Sequence, residues 1–346
     1  AGCLMPTKRS PREQRALRLA SGTALCLAIS FGLALPIPFL APVLCLILLA
    51  AVNRPLPFKA AIVLALVAML TTGIGLVLIP ILRYYPVTGV LLVTVSLFMV
   101  FRWGLSGGNN LIVTLLVMGL TMISSAGVAE FEAAAMVIGA LVKGLLMAVM
   151  VVGISHWLFP EPADAPSPPA AKPPVGEEAS RIALRATLIV LPTFLLAMID
   201  PASYLPIILK AVGLGQQCNT TDARNAGREL VGATLRGGLL ASVFWCVLSL
   251  FVHLWMFYLW TLLFGLILAR KLYALSPSRF GPGLWLNTFI TLIILLGQSV
   301  QDSALGKDVY TAFAVRMGLF LAVTLYACLM VRLLDRPSQT QAQGVT

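Results

Sequence analysis

The chain is a succession of apolar runs, each about as long as a bilayer is thick, separated by short polar breaks. A helix advances only ~1.5 Å per residue, so about 20 apolar residues are needed to cross a hydrocarbon core ~30 Å thick. In lipid every backbone polar group must find its partner within the segment, which confines such runs to helices. The pattern leaves no room for a soluble globular domain. Composition agrees: 59% of the 346 residues are hydrophobic and 11% charged, where soluble domains carry about a quarter charged.

Six apolar segments precede Pro160, at about Leu17–Leu35, Leu40–Val52, Phe58–Ile79, Val87–Phe101, Leu111–Ala126 and Ala133–Trp157. Glu161–Ser180, dominated by Pro, Ala and acids, cannot bury a core and reads as a solvated, semi-extended linker. Six more follow, at about Ile182–Ile199, Tyr204–Gly215, Leu230–Val252, Leu254–Ala269, Leu284–Val300 and Val309–Val331. The expected fold is an all-α polytopic membrane protein with about twelve transmembrane helices. Residues 1–160 form a first six-helix repeat with a basic N-terminus, 161–180 the linker, and 181–346 a second six-helix repeat with a short tail. An even helix number gives both repeats one orientation, so the duplication is parallel. The second segment of each half is short and follows a proline-marked turn, Pro36 to Pro42 in one and Pro201 to Pro206 in the other. Short helices at matching places in two repeats often flank a transporter's substrate site; helices that begin deeper or tilt little are the equal alternative.

Net charge is +11, which in a soluble protein would suggest nucleic acid. Here the cations fall in alternate loops. With the N-terminus inside, outer loops hold only Arg83 and Lys307, while Lys143, Lys210, Arg236 and Arg316 lie within helices. The remaining basic residues, from Lys8 to Arg336, all fall on the inner side. Positive loops stay cytoplasmic, so both termini and the linker are expected there, in a bacterial inner membrane. The basic stretch Lys8–Arg18 before the first apolar run imitates a secretory signal, yet no convincing small-residue cleavage site follows, and it reads as a retained first helix.

Lys143 and Arg316 sit deep inside apolar stretches at matching places in the two halves. An intramembrane cation costs a few kcal/mol and usually lines a cavity or meets an anion. Arg316 has Phe313 and Phe320 on its helical face, an arrangement able to grip a carboxylate while rings stack on an aromatic body. Substrate contact, structural pairing and snorkelling all remain open for the two cations. Arg236, roughly 12 Å inside Arg228 along a helix, snorkels or guards the mouth of a cavity. Lys210, near an inner helix end, is expected to snorkel. Asp200 and Asp302 are the best-placed acids for proton coupling.

The six cysteines show no paired spacing, and the two histidines, His156 and His253, have no neighbouring ligands, so neither a disulfide framework, a metal centre nor a bound cofactor is indicated. No phosphate loop, metalloprotease motif or catalytic triad is present, and an enzyme is not expected.

The stretches Gln14–Ala20 and Arg181–Ala186 opening the two halves, the proline-rich outer turns, and Arg228…Gly232-Ala233-Thr234…Gly237 resemble the fusaric acid resistance and aromatic acid exporter group of inner-membrane proteins. The resemblance covers about residues 12–335 and is closest to a short branch lacking a large soluble domain between repeats. It implies proton-driven efflux of small aromatic carboxylates, together with a periplasmic adaptor and an outer-membrane channel. The expected function is thus export of small organic anions, with Lys143, Arg316, Phe313, Phe320 and Arg236 contacting substrate and Asp200 and Asp302 handling protons. A homodimer is compatible, and nucleic acid is not an expected partner. A passive anion channel and a non-transporting scaffold for an efflux assembly are the alternatives.

Overall fold

The structure is a computed structural model that describes residues 10–52, 58–160, 176–217 and 227–334. The first fifteen residues of the expected linker, 161–175, and the basic residues Lys8, Arg9, Arg54, Lys172, Arg224 and Arg336 lie outside the described residues.

Among the described residues every regular element is helical. In chain order they are α1 (Pro11–Gly32), α2 (Leu40–Ala51), α3 (Phe58–Tyr84), α4 (Pro86–Leu105), α5 (Asn110–Ala129) and α6 (Phe131–Leu158). Then come α7 (Glu177–Ile199), α8 (Pro201–Gln217), α9 (Arg228–Leu248), α10 (Leu254–Leu272), α11 (Pro282–Ala304) and α12 (Val309–Leu334). Wider π turns interrupt α5 at Gly119–Ile123 and open α9 at Gly227–Val231. Nine of these helices are long and apolar enough to cross a membrane. The other three differ for local reasons. α1 carries Arg12, Glu13, Arg15 and Arg18 in its first turns, α2 has 12 residues, and α8 has 17.

Helix starts follow the sequence. Ser10 caps α1 through a reciprocal pair with Glu13, and proline occupies the first turn of α1, α4 and α11. The reading of Glu161–Ser180 as linker throughout is corrected at its end: Glu177–Ser180 form the first turn of α7, whose N-terminal acids favour the helix dipole.

Packing is organised around four central helices. α2 buries nine of its residues and packs on α6, α1 and α11. α8 packs on α7, α12, α5 and α11. α5 and α11 are the most enclosed of the long helices. Around them α1 packs broadly on α10, and α4 on α7. The outward faces of α3, α4, α6, α9, α10 and α12 expose large apolar side chains such as Met69, Leu91, Leu146, Leu239, Leu263 and Leu325. A bundle that covers its outer faces with large apolar side chains and keeps threonines such as Thr114, Thr121 and Thr291 inside is arranged for a lipid solvent.

Candidate functional site

The enclosed helix α11 is not apolar on all sides. Asn287, Thr291, Gln298 and Asp302 are each at most 5% exposed. Their spacing (i, i+4, i+11, i+15) keeps them within about 60° of one face at ~100° per residue. They form a polar stripe about 22 Å long at ~1.5 Å per residue. The same spacing recurs in α5 as Asn110, Thr114, Thr121 and Ser125, of which the last three are buried.

At one end of the α11 stripe lies Lys210 from α8, with a relative exposure of 0%. Its ammonium donates to Asn287 Oδ1 at 2.9 Å and to Thr291 Oγ1 at 2.6 Å. The Thr291 hydroxyl itself donates to the Asn287 carbonyl at 2.7 Å, so its lone pair faces the lysine. Both partners are neutral. An ammonium has three donors, and two of them are engaged among the described residues. Removing a charge from water costs several kcal/mol unless an opposite charge compensates, and none stands within hydrogen-bond reach of Lys210 among the described residues. One turn and a half further along α8, Gln216 donates to Thr114 Oγ1 of α5 at 2.6 Å and to the Asn110 carbonyl at 3.3 Å. One short helix therefore touches the polar faces of both central helices. α2 has no counterpart to Lys210; its interior is Leu44, Cys45, Leu46 and Leu48.

At the other end of the stripe Asp302, its side chain 4% exposed, is held by Arg316 of α12 in a two-pronged ion pair. The second prong, Arg316 Nη2 to Asp302 Oδ1, measures 3.0 Å. Between the two ends Gln298 is 4% exposed, and its Oε1 accepts no hydrogen bond among the described residues.

The residues singled out from sequence fall in different places. Arg316 and Asp302 come together, an approach that their sequence separation across a turn allows but does not require. Phe320 is fully buried in the core and Phe313 half-buried. Lys143 stands on the exposed face of α6, next to Gly144, which faces Ala41 of α2. α6 packs on α2, α1 and α5, whereas α12 packs on α7, α8, α9 and α11, so Lys143 and Arg316 belong to different neighbourhoods. Asp200 is a half-buried turn residue accepting from the Ser203 amide at 3.3 Å. Arg236 is half-buried and lies 4.2 Å from the Phe280 ring centre.

The expectation that Lys210 snorkels is corrected. α8 sits among central helices, so its lysine has no water-facing route and turns instead to Asn287 and Thr291. The stripe itself was missed from sequence; the four polar residues at one-face spacing in an otherwise apolar run were the signal that could have found it.

Fold and stripe together define an all-helical membrane protein with a buried polar face. Residues 15–154 match the model of a family described only as a protein of unknown function (DUF2955). No curated protein matches the chain, and no solved structure does.

Proposed function

We propose that the protein is an inner-membrane exporter of small organic anions, aromatic carboxylates foremost, whose path follows the polar stripe of α11. The observation that carries this reading is Lys210: a fully buried lysine bonded only to neutral oxygens among the described residues. Intramembrane ionisable residues mark substrate or ion pathways, and a fold needing only stability would do better with a leucine, as in α2. Lys143 and Arg316, paired by position in the sequence, give way to Lys210 as the residue that meets the carboxylate.

Asp302 and Arg316 supply coupling in this reading. A proton arriving on a carboxylate oxygen of Asp302 removes its charge and releases the Arg316 guanidinium, which then attracts the anion along the stripe from Lys210. Departure of the anion and of the proton restores the ion pair. Lys210 at zero exposure describes an occluded arrangement, and the short helices α2 and α8 are the elements whose movement opens it.

Two six-helix repeats in parallel, twelve spans in all and both termini in the cytoplasm complete the proposal. Three features support it. α1 packs on α10 as α4 packs on α7, pairing the first and fourth helices across the halves. α2 meets α11 as α8 meets α5. The polar spacing of α5 recurs in α11.

Counterflow of benzoate-type acids in proteoliposomes tests the function. Lys210→Met is expected to reduce exchange by at least about tenfold, the loss of one charge-assisted contact, while Lys143→Met leaves it unchanged. Unaltered exchange in Lys210→Met sinks the assignment of the path.

A further inference from the structure

A second cationic place lies at the helix ends where α9 and α11 begin and α10 finishes. Arg236 lays its guanidinium over the Phe280 ring at 4.2 Å and lies 5.7 Å from the Trp285 ring centre. Lys271, in the last turn of α10, is 4.5 Å from the same Trp285 ring. The loop carrying Phe280 is pinned: Ser278 Oγ accepts from Trp285 Nε1 at 2.9 Å and from the Phe280 amide at 3.2 Å. Arg228, Glu229, Arg279 and Phe280 border an open cleft of about 410 Å³ beside this stack. Among the described residues, the four cations Arg228, Arg236, Lys271 and Arg279 stand against the carboxylate of Glu229. Arg236 Nη1 is buried and has no hydrogen-bond acceptor among the described residues.

We propose that this cleft binds the phosphate of an anionic phospholipid headgroup. A guanidinium stacked on a ring keeps its edge free for an oxyanion, and its planar fork fits two phosphate oxygens. Each ring already carries a cation, Arg236 on Phe280 and Lys271 on Trp285, which favours a ligand recognised by its charge over a stacked aromatic acid. Depth argues for a lipid over a free ion: Arg236 lies two turns inside Arg228, about 12 Å along the axis, within a helix long and apolar enough to cross a membrane. Basic residues and tryptophan at helix ends are the signature of that boundary. The site uses none of the side chains that hold Lys210 and does not rest on the transport reading.

Native mass spectrometry of the full chain, titrated with phosphatidylglycerol, phosphatidylcholine, inorganic phosphate or benzoate, tests it. Phosphatidylglycerol is expected to bind about tenfold more tightly than phosphatidylcholine, and Arg236→Gln or Arg279→Gln to abolish that preference, while exposed Arg83→Gln retains it. In bilayers, brominated phosphatidylglycerol should quench fluorescence of the wild-type chain more than of Trp285→Phe, a readout that survives even if an arginine variant fails to fold. Equal binding of the two lipids overturns the proposal. So does competition by inorganic phosphate or benzoate at concentrations that leave a bilayer intact, since the first makes the site one for a free ion and the second one for substrate.

Discussion

At the scale of single residues, the decisive comparison is between four cations that look alike in the sequence. Lys143 points outward, Arg236 rests on aromatic rings, Arg316 is neutralised by Asp302, and Lys210 is buried with neutral partners. Apolar context marked all of them as costly, but cost alone does not say how each is met. Breaking a buried ion pair from one side leaves an uncompensated charge and costs about 3–5 kcal/mol. Asp302→Asn is therefore expected to lower thermal stability in detergent, and the double variant Asp302→Asn with Arg316→Gln to restore much of it. If the pair carries coupling, the restored double variant still binds acids at Lys210 but exchanges them more slowly and loses the dependence of uphill export on a pH gradient. A gradient response that persists in the double variant removes Asp302 and Arg316 from the coupling step.

Elements matter through how closely they can approach. α9 crosses α11 at Gly237, where a Cβ would stand 2.6 Å from the Thr291 Cβ and 3.0 Å from the Thr288 carbonyl. A backbone oxygen at that distance cannot move aside cheaply, so the two helices must separate. Gly237→Ala is expected to cost about 1–3 kcal/mol and to displace Thr291 from Lys210, reducing counterflow with it. Gly213 in α8 provides the contrast, because a Cβ there meets nothing within 4 Å. Gly213→Ala should leave the melting temperature unchanged or raised, since alanine suits a helix better by up to ~1 kcal/mol. A Gly237→Ala protein as stable and active as Gly213→Ala would show that the crossing tolerates separation. The glycine positions are plain in the sequence, yet only the crossing tells which one a neighbour occupies.

For the whole molecule, the broad interfaces run between the halves as much as within them. α1 relies on α10, α4 on α7, and the short helices α2 and α8 each touch the other half's central helix. Residues 1–160 or 161–346 expressed alone would leave these faces open to lipid and are expected to be degraded, whereas co-expression should restore a complex that co-purifies. Stable accumulation of either half alone would argue that the interfaces are dispensable. Helix positions, the short second segments and the cost of a cation at Arg316 follow from the sequence, because hydrocarbon imposes them locally on any chain: length, apolarity and the cost of a bare charge are properties of a segment. Which face of each helix meets which neighbour is a property of the assembled bundle. Lys210 and the stripe on α11 lie 77 or more residues apart, so only packing α8 among the central helices brings the ammonium to Asn287 and Thr291 and leaves Lys143, equally apolar in its surroundings along the chain, facing out.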